Sequence, residues 1–205
     1  MIYGTAGVTA AQCVQELLDN GLQPEAGPVL VTGATGGVGS MAVSFLAKLG
    51  FQVVAASGKE SAHGFLLGLG ASKIINRNET KDIASRAVLK PKWAGAVDTI
   101  GGEYLAAAIK SSAYGGVVTC CGNAASGELP LNVYPFILRA VRLIGIDSAQ
   151  CTLARRQQIW QKLAGPWRPD LLEDLHQEIS LSSLSEVIDQ MLAGKIKGRY
   201  VVNLL

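Results

Sequence analysis

The stretch VLVTGATGGVGSMAVSFLAKLGFQVVAASGK, Val29 to Lys59, constrains this chain more than any other. A short apolar run, Val29 to Gly33, reads as a buried strand. Glycines crowd the next residues, and an apolar segment from about Gly37 to Leu49 then reads as a helix closed by Gly50. A second strand follows, Gln52 to Ser57. A strand that turns through glycines into a helix start leaves unpaired N–H groups at the positive end of a helix dipole. Such a turn is an anion site. The glycines also remove the Cβ atoms that would hold a diphosphate away from the backbone.

The segment TGATGGVG, Thr32 to Gly39, therefore reads as the dinucleotide-binding turn of a Rossmann unit. The bland alternative is an ordinary strand–helix turn with tight packing. The spacing also fits the T-G-x-x-x-G-x-G pattern of short-chain dehydrogenases. Those enzymes need a tyrosine with a lysine four places later. Tyr3, Tyr104, Tyr114, Tyr134 and Tyr200 all lack it.

The rest of the chain alternates in the same way. Helices are expected at about Thr9 to Asn20, Ser61 to Leu69, Glu103 to Ser111, Thr152 to Leu163 and Leu184 to Ala193. Further strands are expected at Lys73 to Asn76, Ala94 to Ile100, Gly115 to Gly122, Arg142 to Asp147 and Arg199 to Leu204. The polar segment NETKDIASRAVLKPKW is expected to hold a short helix. This order predicts an α/β, Rossmann-type doubly wound parallel sheet of about six strands, with a C-terminal helix and strand as an appendage.

Composition agrees with a well-buried core. Of 205 residues, 49% are apolar and 17% charged, with 24 glycines for tight turns. The formal charge is +2 and no long basic run occurs, which argues against nucleic acid as a partner. The apolar stretch Ser40 to Gly58 is interrupted by Lys48, Gly50 and Gln52, which argues against a membrane span. No basic segment followed by an apolar run opens the chain, so no signal peptide is expected. Cys13, Cys120, Cys121 and Cys151 have no C-x-x-C spacing, and Cys120 and Cys121 should face opposite sides of a strand. Reduced thiols in a cytoplasmic protein, with neither a disulfide framework nor a metal site, are the expectation. His63 and His176 fall in helix-like segments far along the chain from Cys121, so no Cys–His pair is expected.

Several motifs occur in a fixed order: GTAGVTAAQ (Gly4–Gln12), VTGATGGVGS (Val31–Ser40), LGAS (Leu69–Ser72), WAGAVDTIGG (Trp93–Gly102), YGGVVTCCGNAASGELP (Tyr114–Pro130), PFILRAVRLIGIDS (Pro135–Ser148) and GRYVV (Gly198–Val202). Together they resemble the medium-chain dehydrogenase/reductase superfamily, in its zinc-independent quinone-oxidoreductase branch, and are most similar to the acryloyl-CoA reductase group there. The resemblance implies NADPH-dependent hydride transfer to an activated carbon–carbon double bond of an enoyl thioester, or of a quinone or enone. It divides the chain into a nucleotide-binding domain, 1–165, and a C-terminal segment, 166–205. In the family that segment returns to a GroES-like catalytic lobe, which comes before the position where this sequence starts. A cofactor-binding fragment without turnover is thus a further alternative. The resemblance also implies a homodimer formed along the sheet edge near the sixth strand.

The end of the second strand bears on the cofactor. Where an NAD-binding acidic residue is usual, this chain has Ser57-Gly58-Lys59. A hydroxyl and an ammonium suit the 2′-phosphate of NADPH, and Arg77 adds a second cation after the third strand. The alternative for Lys59 and Arg77 is solvated surface charge. By resemblance, Thr35, Gly36, Gly37 and Val38 line the pyrophosphate, which Arg199 also reaches. Cys121, Gly122 and Asn123 lie by the nicotinamide ribose. Ile146, Asp147 and Ser148 flank the nicotinamide, with Thr9 facing it. In the bland readings Thr9 caps a helix, Asn123 shapes a turn, and Asp147 pairs with Arg139 or Arg142.

Overall fold

The computed structural model describes residues 1–81 and 86–204. Helix α1 (Gly4–Asp19) leads into strand β1 (Val29–Val31), α2 (Gly37–Lys48), β2 (Val53–Ser57), α3 (His63–Gly68) and β3 (Lys73–Asn76). Then come β4 (Trp93–Asp98), α4 (Gly102–Lys110), β5 (Ser112–Cys120), α5 (Tyr134–Arg139) and β6 (Arg142–Gly145). The C-terminal part holds α6 (Leu153–Ala164), β7 (His176–Ser180), α7 (Leu184–Leu192) and β8 (Arg199–Asn203).

Six strands form one parallel sheet in the order β3-β2-β1-β4-β5-β6. This is the doubly wound arrangement expected from the alternation. Every residue of β1, β2 and β4 is buried, as both-face coverage demands. One core lies between the sheet and the layer of α1, α2 and α6, with Phe45, Leu17, Leu46 and Leu163 fully buried. The other lies under α4, around Leu30, Ala96, Ile109 and Val118. Cys121 packs on the first core and Cys120 on the second, so the two thiols do face opposite sides.

The C-terminal appendage is a two-stranded parallel sheet, β7 beside β8, crossed by α7. Its Leu175, with Trp167 just before it, belongs to the first core. His176 opens β7, so its expected helical setting is corrected. Helix α1 starts at Gly4, five residues before the expected start. Of the polar segment after β3, only a 3₁₀ turn at Arg77–Thr80 is helical among the described residues, and residues 82–85 of the expected short helix lie outside them. Among the described residues, no helix is long and apolar enough to cross a membrane.

Candidate cofactor site

The ends of β1 and β4 are stapled by side chains. The Thr32 hydroxyl donates to Asp98 at 2.7 Å, and the amides of Gly101 and Ile100 donate to the same carboxylate at 2.7 and 3.2 Å. The Thr99 amide donates back to Thr32 Oγ1 at 3.1 Å, and the Thr99 hydroxyl donates to the Thr32 carbonyl at 3.0 Å. Burial pushes the Asp98 carboxyl above the usual carboxylate range, while Thr32 and the two amides pull it back. This staple sits where the strand order reverses, and ligands of open α/β sheets bind in the crevice there.

The glycine turn follows directly. Gly33 has φ +57°, and a Cβ there would lie 2.3 Å from Thr99 Oγ1. A Cβ on Gly39 would lie 2.2 Å from the Gly33 carbonyl oxygen, so α2 packs flush against the turn. The Gly36 amide donates to the Gly33 carbonyl at 2.9 Å. Gly36 has no side chain to cap α2, so the amides of the first turn, at Gly37, Val38 and Gly39, are left for an external acceptor.

That turn forms one wall of a cavity of about 890 Å³. Thr35, Gly36, Gly37 and Val38 line it, as do Ser57, Gly58 and Lys59 from the end of β2. Arg77 lies against Gly58, where a Cβ would come within 3.0 Å of Nε. The Ser57 hydroxyl is buried and accepts from the Lys59 amide at 3.0 Å. Lys59 Nζ donates to the Ile196 carbonyl. Burial and then the Arg77 guanidinium hold Lys59 below the ordinary lysine value. Arg199 completes the cation set. Added Cβ atoms on Gly4 and Gly37 would fall 3.0 and 3.2 Å from its guanidinium nitrogens, so the cation sits between the N-termini of α1 and α2. Among the described lining residues, three are cations and none is acidic.

Seven other sequence-derived candidates, Ser148 among them, lie outside this cavity. Thr9 is mid-helix in α1, which corrects the capping alternative, and its hydroxyl lies 2.8 Å from both the Thr5 carbonyl and Ser148 Oγ. Cys121, Gly122 and Asn123 follow β5 at the same end of the sheet, and a Cβ on Gly122 would strike the Thr99 carbonyl at 2.3 Å. Cys13 and Cys121 are free thiols. Cys121 Sγ donates to the Asp98 carbonyl at 3.6 Å, and a hydrogen bond between the two thiols pushes Cys13 up and Cys121 down. Ile146 and Asp147 follow β6. Asp147 accepts from the Ala149 and Gln150 amides at 3.0 and 2.9 Å. The bland alternative, in which Asp147 pairs with Arg139 or Arg142, is thereby corrected. Arg139 donates to the carbonyls of Leu89, Lys110 and Ser112, and Arg142 donates to that of Asn20. His63 is exposed on α3.

A family model described as zinc-binding dehydrogenase matches residues 37–165. The chain belongs to this medium-chain dehydrogenase/reductase family. Among curated relatives, YhfP of Bacillus subtilis, which bears a quinone oxidoreductase name, is 46% identical over 205 residues, 100% of this chain and 62% of its own. Acrylyl-CoA reductase AcuI of Ruegeria pomeroyi is 42% identical over 203 residues, 99% of this chain and 62% of its own. The chain thus spans less than two thirds of the length of either. The yhdH oxidoreductase of Salmonella enterica, solved in complex with NADP, superposes with a TM-score of 0.96 at 45% identity, over 100% of this chain and 63% of that one. YhfP, solved with NAD bound, gives 0.95 at 46% over 100% of this chain and 62% of its own. The family is named for zinc. Among the described residues, no group of three His, Cys, Asp or Glu side chains could hold a metal ion.

Sequence reading missed other residues on this dehydrogenase-family cavity. Thr99 and Ile100 line it from the end of β4, and the rule that ligands bind where strand order reverses would have found them. Tyr104 on α4, Ala124, Ala125, Ile196 and Tyr200 reach it through long-range packing, which leaves no local mark in sequence.

Proposed function

We propose that this chain is the NADPH-binding part of a zinc-independent medium-chain reductase that acts on the activated double bond of an enoyl thioester such as acryloyl-CoA. The observation that carries the cofactor reading is the cavity with Lys59, Arg77 and Arg199 on its wall and no carboxylate among its described lining residues. A dinucleotide with three phosphates supplies the missing negative charge.

The residues fit that group. The amides of Gly37, Val38 and Gly39, with Arg199, hold the pyrophosphate, and the Gly39 site has no room for a side chain. Ser57, Lys59 and Arg77 hold the 2′-phosphate. A relative solved with NAD leaves the choice between cofactors to local charge, and here that charge favours NADPH. Thr9, Cys121, Gly122, Asn123, Ile146, Asp147 and Ser148, on α1 and at the ends of β5 and β6, form the nicotinamide side. When bound, NADPH supplies hydride from nicotinamide C4 to the β-carbon of the substrate. The protein binds and orients it.

The name and 42% identity of the acrylyl-CoA reductase support the enoyl thioester, while YhfP's name favours a quinone as the second reading. NADPH titration by fluorescence, followed by NADPH oxidation with acryloyl-CoA and with a simple quinone, separates them. Turnover of acryloyl-CoA is expected of the whole reductase to which this part belongs. Turnover of quinone alone replaces the substrate, binding without turnover confines the role to cofactor binding, and no binding overturns the whole reading.

The chain also pairs with a second copy along β6, which has a sheet partner on one side only among the described residues. Neighbouring α5 exposes Tyr134, Ile137 and Leu138. Sedimentation should report a dimer, and Ile137→Glu should shift it to monomer. An unchanged mass in that variant removes this edge as the contact.

A further inference from the structure

Arg199 occupies a position that its own charge disfavours. Two helix N-termini, those of α1 and α2, converge on its guanidinium, and each is the positive end of a helix dipole. Its Nε has only a long contact of 3.4 Å to the Ile2 carbonyl, and no ion pair of Arg199 occurs among the described residues. Something other than attraction by a carboxylate must keep the side chain there while the site awaits an anion.

The segment joining α7 to β8 supplies that restraint. The Gly198 amide donates to the Thr35 carbonyl at 2.9 Å, inside the dinucleotide turn itself. Two residues earlier, the Ile196 carbonyl accepts from Lys59. Between them Lys197 Nζ lies over the Phe65 ring, 5.3 Å from its centroid. The chain then enters β8, where Arg199 stands in register with His176 of β7. Gly198 makes this entry with φ +65°, and a Cβ on it would lie 2.7 Å from the Leu175 carbonyl oxygen. Leu175 is fully buried in the main core, so that carbonyl cannot give way cheaply. Only glycine lets the backbone donate to Thr35 and start β8 in one step.

We propose that Gly198 is a positioning residue for the diphosphate: by tying β8 to the dinucleotide turn it holds Arg199 preorganised between two helix N-termini. The inference rests on the reading of this cavity as a dinucleotide site. A charge fixed before binding costs less to order on binding than one recruited from solvent. Gly198 acts through Arg199 and touches no phosphate itself.

The test is a double-mutant cycle on Gly198→Ala and Arg199→Ala, titrated with NADP⁺ and with adenosine 2′-monophosphate, which lacks the diphosphate. Gly198→Ala should weaken NADP⁺ by about ten-fold and adenosine 2′-monophosphate by less than about two-fold. The double variant should lose no more NADP⁺ affinity than Arg199→Ala alone. A merely structural role would weaken both ligands alike and make the two losses add, and either result overturns the inference. No binding of NADP⁺ to the unaltered protein instead overturns the dinucleotide reading beneath it. A measurement that needs no glycine variant is amide exchange at Gly198. NADP⁺ should slow it in the unaltered protein and not in Arg199→Ala, and equal slowing in both also overturns the inference.

Discussion

In the proposed NADPH reading, Lys59 is the residue on which cofactor choice turns. Its ammonium is half-buried, held below the ordinary lysine value by burial and by Arg77, and leans on a backbone carbonyl rather than on a carboxylate. A 2′-phosphate offers it a full counter-charge. Lys59→Glu should therefore weaken NADPH by about ten- to a hundred-fold and NADH by less than about three-fold. Equal losses in a fluorescence titration would remove Lys59 from the phosphate site. The pH dependence has a definite sign. The phosphate binds the protonated lysine, so preference for NADP⁺ over NAD⁺ is full below the lowered Lys59 pKa and declines as pH rises through it. Lys59→Gln should abolish the alkaline decline. Asp98 has the opposite kind of role. Its carboxyl is raised by burial, so its folded form gains most from protonation at low pH and loses that contribution as pH rises through the folded pKa. It also accepts from Thr32, Ile100 and Gly101. Asp98→Ala strands those donors and should cost roughly 2–4 kcal/mol in chemical denaturation.

Among elements, the β1–turn–α2 unit was the most legible in sequence, because each of its parts has a local cause. A buried strand needs an apolar run, and a flush helix needs glycine at Gly39. Gly39→Ala drives a Cβ into the Gly33 carbonyl and should cost roughly 2–4 kcal/mol, with NADP⁺ binding lost. Gly50→Ala is the control. Its φ is +83° but nothing lies within 4 Å, so only backbone strain of about 1–2 kcal/mol is expected. Urea midpoints that rank the two variants the other way would contradict this account of the turn. Elements that sequence reasoning missed lack such local causes. HQEIS, the sequence of β7, has one β-branched residue and no buried one, and its strand exists because β8 lies beside it. Helix α5 has a single turn and a half and a proline in its first turn, and its exposed apolar face broke the expected period. The early start of α1 has a packing origin: Gly7, a poor helix former, lets the Tyr3 side chain lie against the helix backbone, and its amide donates to the Tyr3 carbonyl at 2.7 Å. The site divides the same way. Lys59, Arg77 and the glycines follow their strands and could be placed from sequence, whereas Ile196 and Tyr104 come to the cavity only through tertiary packing.

Over the whole molecule, the cavity joins parts of the chain that are far apart in sequence. Residues near both ends meet there: Arg199 reaches the Ile2 carbonyl, and Gly198 bonds to Thr35. The small β7–β8 sheet otherwise exposes much of its surface, and α7 leaves Met191 and Leu192 uncovered. Its hold on the nucleotide-binding core thus runs through the buried Leu175 and Trp167 and through the bonds at the cofactor turn. A ligand that bridges the turn, the end of β2 and Arg199 fastens this sheet to the core. Binding to the folded state alone adds about 2.7 kcal/mol when ligand is at a hundred times its Kd. For a chain of this length that amounts to a rise in Tm of roughly 5–10 °C. NADP⁺ should give that rise, and NAD⁺ at the same concentration a smaller one, because it leaves Lys59 and Arg77 without their phosphate. Arg199→Ala should shrink the rise with both cofactors, since both carry the diphosphate. A calorimetric scan in which NAD⁺ and NADP⁺ stabilise equally would break the link between the cations at the end of β2 and the choice of cofactor.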